Sequence, residues 1–151
     1  PRGAIDFAPL DDLPGCIISP NWAVAAAPGL VVRSQRGAVA IDLDGDGNEG
    51  TGWVLFYMHL TPEGRAGVNT WLSQDDHVGH PSCEGGVSTG THLHIARKFN
   101  GEWISAEGPL PLVLDGWQAV ARPGNYAGLL IKDGQQVLVG PSSEEYTWIT
   151  R

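Results

Sequence analysis

The four residues His92-Leu93-His94-Ile95 alternate polar and apolar side chains, directly after a loop of small residues that begins at Gly85. Alternation with a period of two is typical of a β-strand, so His92 and His94 are predicted to share one face while Leu93 and Ile95 share the other. Two imidazoles about 7 Å apart along a strand can converge on one ion or substrate atom. The pair therefore predicts a functional site on a strand, and the alternative is two solvated surface histidines.

The rest of the chain favours an all-β fold with many turns. Of its 151 residues 21 are glycine and only 17% are charged, and its apolar runs are short and broken by Gly or Pro. No segment of useful length has the helical period of 3.6 residues. Strands are predicted at 4–7, 24–27, 30–33, 39–43, 53–60 and 92–99, with hairpin turns at Asn100-Gly101 and Asp133-Gly134.

The length and the net charge of the chain limit its expected domain organisation and its expected partners. The length predicts one main domain, which we assign to residues 1–121, followed by a C-terminal β extension over residues 122–151 with its seam at Pro123-Gly124. The net charge is −8 and no Lys/Arg cluster is present, so nucleic acid is not an expected partner. No apolar run approaches 18 residues, so no transmembrane segment is expected.

Asp42, Asp44 and Asp46, followed by Gly47, have the D-x-D-x-D-G spacing that opens a calcium loop. The bidentate acid expected at the twelfth position is missing, because Trp53 stands there. We favour a polar hairpin tip that joins two strands. The alternative is a Ca²⁺ site, in which the ion would steady the loop and take no part in chemistry.

Asp6, His59, His92 and His94 supply one carboxylate and three imidazoles from three predicted strands. His59 closes its strand and is predicted to lie on the same face as Tyr57. Oxygen and nitrogen donors in this number suit zinc, with coordination positions left open for water and substrate.

Four segments, in their order and approximate spacing, resemble the LytM/lysostaphin-type zinc metallopeptidases of family M23, which cleave peptide cross-links in bacterial cell walls. The segments are Ala4 to Pro9, Ala25 to Val31, Tyr57 to Leu60 and Gly86 to Ile95. The Ser-Thr-Gly-x-His-x-His run in the last of them is the specific part. The resemblance extends from residue 4 to about residue 104 and leaves residues 105–151 largely outside it.

This resemblance implies a Gly-rich antiparallel sheet crossed by a groove, the lysostaphin-like (duplicated hybrid motif) peptidase fold, with C-terminal β hairpins added. It implies that Asp6 and His94 are zinc ligands and that His59 and His92 are catalytic histidines beside the metal. The expected function is a secreted bacterial zinc endopeptidase, extracellular or in the cell envelope, that hydrolyses peptide bonds of peptidoglycan cross-links. We expect a monomer.

One position departs from the family pattern. The family's first zinc ligand is a histidine, often four residues before the aspartate, and Arg2 stands there. A guanidinium keeps its charge and cannot ligate zinc. We expect the missing histidine upstream of Pro1, so that residues 1–151 alone bind zinc poorly and a longer chain binds one ion. The alternative is a degenerate LytM-like domain with a binding or regulatory role.

Cys16 and Cys83 each lie in a loop context of Gly, Pro or Ser. By themselves they are compatible with one disulfide or with two reduced buried thiols. Because the resembling family acts outside the cytoplasm, a Cys16–Cys83 bridge becomes the expectation. It would tie the loop after the Asp6 strand to the loop before the histidine strand.

Six tryptophans raise a third interpretation, a carbohydrate-binding β domain. They are Trp22, Trp53, Trp71, Trp103, Trp117 and Trp148. Because they are spread evenly along the chain, we interpret them instead as core and strand residues.

Overall fold

The structure is a computed structural model that describes residues 3–9, 15–123, 127–138 and 149. The chain forms two compact units, of which one is residues 4–104 and the other contains residues 1–3 and 105–151. The chain therefore passes from the first unit to the second between Ile104 and Ser105. The division into residues 1–121 and 122–151 stays a prediction.

Nine strands are described in the unit of residues 4–104. They are β1 (Ala4–Phe7), β2 (Ala23–Val24), β3 (Gly29–Gln35), β4 (Ala38–Asp42), β5 (Trp53–Met58), β6 (Trp71–Leu72), β7 (His77–Gly79), β8 (Leu93–Phe99) and β9 (Glu102–Ile104). Seven of them form one antiparallel sheet in the order β1-β8-β5-β4-β3-β6, with β9 paired to β8. Strands β2 and β7 form a small second sheet.

Strand β5 lies near the middle of the large sheet, paired with β4 on one side and β8 on the other. Its apolar side chains alternate between the two faces of the sheet, and both faces are covered. On one face, the most deeply buried side chains are Val31, Val39, Ile41, Tyr57 and Ile95. Burying a side chain of this size contributes about 1.5–3 kcal/mol, so this face forms the main core.

Tyr57 is the largest fully buried side chain of that core. Its hydroxyl oxygen accepts a hydrogen bond from the backbone N–H of Ala26 at 2.8 Å. Burial raises the pKa of Tyr57 to about 12, against the Ala26 bond, which acts to lower it. The phenol therefore stays neutral throughout the physiological range.

The opposite face of the sheet is built mainly from small residues around one phenyl ring. Its buried members are Ala38, Ala40, Val54, Phe56 and Ala96, with Ala4, Val32 and Met58 packed against them. His94 is the cross-strand partner of both Met58 and Asp6. Because residues directly opposite in an antiparallel ladder point to the same side, Asp6 and His94 continue this small-residue face toward the edge of the sheet.

The C-terminal unit contains a second antiparallel sheet with the order β10 (Val113–Leu114), β11 (Trp117–Ala121), β12 (Gly128–Lys132) and β13 (Gln135–Leu138). Trp117, Ala119 and Leu130 are buried in it. Asp133 and Gly134, with φ of 49° and 79°, form the turn from β12 to β13. Positive φ at both central residues is what an Asp-Gly hairpin turn requires, and the predicted hairpin is confirmed.

The predicted all-β class is also confirmed, since the described residues contain strands and turns and no helix. It follows that this part of the chain offers no helix that could cross a membrane. Four of the described tryptophans lie in strands, as interpreted: Trp53, Trp71, Trp103 and Trp117, although Trp71 and Trp103 are 56% and 54% exposed. The interpretation as core and strand residues is wrong for Trp22, which lies outside the strands and exposes 39% of its surface. Trp22 packs on histidine rings and Trp103 lies under a lysine, so surface stacking holds these two indoles. Trp148 lies outside the described residues.

Candidate functional site

Asp6 and His94 meet across the β1–β8 ladder, although 88 residues separate them in sequence. Nδ1 of His94 lies 2.8 Å from Oδ1 of Asp6. Both side chains are about a third to a half exposed. The sheet therefore presents a carboxylate and an imidazole side by side at a surface that substrate can reach.

His92 lies immediately before β8 and turns its ring toward the same carboxylate. Its Nε2 lies 3.8 Å from Oδ1 of Asp6. On the other side of the ring, Nδ1 lies 2.9 Å from the carbonyl oxygen of Gly90. A carbonyl can only accept, so this bond places the proton on Nδ1 and leaves the Nε2 lone pair free. The hydroxyl of Ser88, which itself donates to the Gly90 carbonyl at 2.7 Å, lies against the same edge of the ring.

His59 directly follows β5, and its backbone has a φ of 68°. The prediction that it lies on the same face as Tyr57 is wrong. The left-handed residue interrupts the alternation, so the ring lies among those of His92 and His94, with centroid distances of 4.3 Å and 6.1 Å. Tyr57 points into the main core on the other face of the sheet.

The ring of His59 is oriented in the same way as that of His92. Its Nδ1 lies 3.1 Å from the carbonyl oxygen of Glu84, which places the proton on Nδ1 and leaves Nε2 as an acceptor. Burial and the neighbouring His92 lower the pKa of His59, and these effects outweigh the Glu84 bond and the Asp6 charge, which raise it. The imidazole is therefore neutral at neutral pH.

The pKa of Asp6 is set by opposing effects. Partial burial raises it, but the hydrogen bond from His94 and the charges on His94, His92 and His59 together lower it below its usual range. The carboxylate is therefore ionised near neutral pH, which is the form that metal binding requires.

The loop of Glu84, whose carbonyl orients the His59 ring, is packed against the turn between β3 and β4. Gly37 and Gly85 both have a φ of 75°, and a Cβ on either would overlap the backbone of the other segment. The carbonyl of Gly37 also accepts a hydrogen bond from the N–H of Leu60, next to His59. Glycine is thus required at both positions by conformation and by the close backbone approach.

The donor set fits a zinc ion. Bonds of about 2.0–2.2 Å in a tetrahedral site place neighbouring donor atoms about 3.3–3.6 Å apart. Oδ1 of Asp6 lies 2.8 Å from Nδ1 of His94 and 3.8 Å from Nε2 of His92, one distance just below that range and one just above it. The three imidazoles of His59, His92 and His94 each offer a nitrogen, all within 4.8 Å of one another. The structure thus brings together all four predicted residues, while their individual roles stay predictions.

Cys16 and Cys83 form the expected disulfide, with their Cα atoms 5.5 Å apart. Cys83 precedes Glu84, whose carbonyl holds His59, and its sulfur lies 3.3 Å from the hydroxyl of Ser88. The bridge therefore anchors the loop that supports both histidine rings.

The three aspartates of the calcium-like motif lie in the hairpin that joins β4 to β5, as the favoured interpretation predicts. Asp42 is fully buried and accepts hydrogen bonds from the N–H groups of Asp44 and Gly47. Asp46 accepts from Asn48. The three carboxylates offer oxygens within 4.8 Å of one another. A Ca²⁺ ion at this tip stays a prediction.

Sequence reasoning missed the groups that orient the rings. Glu84 and Gly90 act through backbone carbonyls, which no side-chain motif marks. Ser88 lies within the Ser-Thr-Gly-x-His-x-His run, and that run was the available signal.

No protein-family model and no curated protein matches the sequence. Solved structures that are similar to this chain include two M23 proteins. The M23 metalloprotease pseudoalterin from the deep sea superposes with a TM-score of 0.72 at 18% identity, over 92% of this chain and 80% of that one. A mutant catalytic domain of the prophage-encoded M23 protein EnpA from Enterococcus faecalis gives a TM-score of 0.49 at 25% identity, over 69% of this chain and 74% of that one.

The fold and the His/Asp cluster define an all-β protein with a site able to hold a metal ion on one face of its sheet. The fold is that of an M23 metalloprotease. Residues 4–104, which carried the sequence resemblance, are only about two thirds of the chain. Because the likeness to pseudoalterin covers 92% of the chain, it extends into residues 105–151, beyond what the sequence resemblance reached.

Proposed function

We propose that this protein is a zinc-dependent endopeptidase that hydrolyses peptide bonds in bacterial peptidoglycan cross-links. The observation that carries the proposal is the convergence of the Asp6 carboxylate with the imidazoles of His59, His92 and His94. A carboxylate and imidazoles are the groups that bind zinc and move protons. The fold of an M23 metalloprotease supports the same conclusion.

Asp6 and His94 would supply two of the three protein ligands that a catalytic zinc ion takes, because they are adjacent in the ladder and their donor atoms face each other. Zinc polarises a peptide carbonyl and lowers the pKa of bound water toward 7. The sheet contributes preorganisation, since both ligands stand on paired strands rather than on a loop.

His92 and His59 would move protons. Each has its Nδ1 proton committed to a backbone carbonyl, so each presents the Nε2 lone pair to a substrate. His92 is well placed to accept a proton, because the Nε2 that carries its free lone pair lies 3.8 Å from Oδ1 of Asp6, beside the proposed metal site. Once protonated, a histidine can donate to a developing oxyanion or to the departing amine.

The disulfide supports a location outside the cytoplasm, and the glycines near the site support a peptide substrate of small residues. A structural disulfide is typical of proteins in oxidising surroundings, and we propose that the protein acts outside the cytoplasm, as a monomer. In the loop before β8, which would form the rim of the site, Gly85, Gly86 and Gly90 carry no side chain, while Val87 is 98% exposed. Such a rim suits flexible peptides of small residues, such as the glycine- or alanine-containing bridges of peptidoglycan.

The test is hydrolysis of purified bacterial cell walls, followed by loss of turbidity and by mass spectrometry of the released peptides. Protein assayed with excess zinc, which offsets the poor affinity expected of residues 1–151, should clear the walls, while a chelator or His92→Ala should abolish clearing. His77→Ala is a matched control, because His77 is exposed and stacks on Trp22 outside the cluster. Intact walls that retain the protein without peptide release would favour the degenerate binding domain instead.

A further inference from the structure

Ser82 lies in the segment between β7 and β8 and is almost completely buried, with 6% of its surface exposed. It forms an isolated antiparallel bridge with His92, whose N–H lies 3.4 Å from its carbonyl oxygen. It also directly precedes the disulfide-bonded Cys83. Ser82 is therefore attached to the backbone of one of the two proposed catalytic histidines.

The same serine holds the backbone of the other histidine. Both its N–H, at 2.6 Å, and its hydroxyl, at 2.9 Å, donate to the carbonyl oxygen of His59. This double contact falls on the residue whose φ of 68° turns the ring into the site. A left-handed backbone at a non-glycine residue persists only where surrounding bonds hold it.

The hydroxyl of Ser82 has a second partner. It accepts a hydrogen bond from the N–H of Glu84 at 3.0 Å, and the carbonyl of Glu84 in turn accepts from Nδ1 of His59. A closed ring of hydrogen bonds thus runs from the His59 carbonyl through Ser82 and Glu84 to the His59 imidazole. One hydroxyl links the backbone conformation of His59 to the position of the proton on its ring.

We propose that Ser82 is a positioning residue for His59 and His92, which fixes the left-handed backbone of His59 and the Nδ1–H form of its imidazole. The proposal deepens the proposed function and rests on it for the catalytic consequence. The hydrogen-bond ring itself does not depend on that function. Ser82 touches no reacting atom and acts only through the two histidines.

The kinetic test uses zinc-loaded protein and a fluorogenic peptide of glycines and alanines. Ser82→Ala should lower kcat about 10–100-fold, the range that loss of a supporting hydrogen bond or a misplacement of about 1 Å produces, with KM nearly unchanged. Ser82→Thr, which keeps the hydroxyl, should restore much of the loss. Ser82→Val, which has the shape of the threonine variant but lacks the hydroxyl, should not restore kcat. If the alanine variant does not fold, the comparison of the threonine and valine variants tests the same point.

The second readout requires no activity. In metal-free protein, ¹⁵N NMR of the imidazoles reports which ring nitrogen carries the proton. Ser82→Ala should lower the Nδ1–H fraction of His59, and Ser82→Thr should preserve it. Ser19→Ala is a control for the loss of a buried hydroxyl, because Ser19 is also fully buried and its oxygen accepts from the N–H of Asn21, which is not a member of the ring of bonds. The substitution keeps the backbone bond from Ser19 to the carbonyl of Pro81, next to Ser82.

The two readouts separate the two hypotheses. An unchanged His59 tautomer in Ser82→Ala, or an equal change in Ser19→Ala, overturns the role of Ser82. A Ser82-dependent tautomer supports that role even if the wild-type protein hydrolyses no peptide, in which case the peptidase proposal fails alone.

Discussion

The carboxylate of Asp6 and the imidazole of His94 are direct cross-strand neighbours in an antiparallel ladder, with 2.8 Å between Oδ1 and Nδ1. The backbone pairing of β1 with β8, which continues before and after these two residues, fixes this separation. The pair is therefore preorganised for a metal ion, and His92 and His59 approach it from loop segments that need their own supports.

Asp6→Asn should weaken zinc binding more than 100-fold, because outer-shell partners alone are worth about 10–100-fold and this change removes an ionised ligand. The measurement is a competition titration with a chromogenic chelator. Asp76→Asn is the control, since its carboxylate accepts from the N–H of Ser73 and is not part of the His/Asp cluster. Equal zinc affinity in the Asp6 and Asp76 variants would remove Asp6 from the metal site.

In metal-free protein, His59 should titrate below the ordinary histidine value of about 6.5, because burial and then the charge of His92 lower its pKa. A depressed pKa means that the native state resists protonation. The stability that this group contributes is therefore present above pH 6.5 and is lost as pH falls toward the folded-state value. An NMR titration of the ring protons measures the pKa, and His59→Gln should flatten this part of the acid limb. A His59 midpoint above 6.5 contradicts the prediction.

For Tyr57 we expect the opposite dependence, a loss of stability at high pH. Its pKa is raised to about 12 by burial, so the native state favours the neutral phenol. Stability from this group is complete below about pH 10, the unfolded value, and about 3 kcal/mol is lost as pH rises through 12. Urea unfolding at several pH values should show this loss in the wild type and not in Tyr57→Phe. At neutral pH the variant should be less stable by about 1–3 kcal/mol, because the Ala26 N–H loses its acceptor.

Replacing Cys16 and Cys83 together by serine should lower the free energy of unfolding by about 4 kcal/mol, since the bridge closes a loop over a separation of 67 residues. Denaturation with and without reductant measures the effect. Reduced wild type and the double variant should unfold at the same urea concentration. Two thiols reacting with an alkylating agent in unreduced, folded protein would contradict the bridge.

Gly85→Ala should destabilise the protein by more than the roughly 1–2 kcal/mol of a left-handed alanine, because its Cβ would also overlap the carbonyl of Arg36. Gly47→Ala is the matched control, since Gly47 also has positive φ but faces open space. The difference between the two variants in urea isolates the steric cost. Equal losses would mean that the Gly37–Gly85 approach relaxes freely.

The strands and hairpins could be predicted because their signals are local. Two-residue alternation marks β8, and the Asn-Gly and Asp-Gly pairs mark turns whose geometry demands them. The meeting of Asp6 with His94 depends on the register of two distant strands, so it came from the family resemblance rather than from the pattern itself.

The face of His59 could not be predicted from alternation. One residue with positive φ reverses the side on which its ring lies, and histidine merely tolerates that conformation without requiring it. The carbonyls of Glu84 and Gly90 were equally hidden, because every residue carries the same backbone oxygen. Ser82 gave no signal either, since its importance lies in three hydrogen bonds that exist only in the folded chain.

The left-handed backbone of His59 lowers the stability of the protein in exchange for the position of the proposed catalytic ring. Such a conformation costs a side-chain-bearing residue about 1–2 kcal/mol, a burden that asparagine carries more easily and glycine not at all. A library varied at this position and screened only for heat resistance should therefore enrich His59→Asn and His59→Gly. Each enriched variant should unfold at a higher temperature and, under the proposed function, hydrolyse less peptide, so selection for stability alone would remove the proposed catalytic histidine.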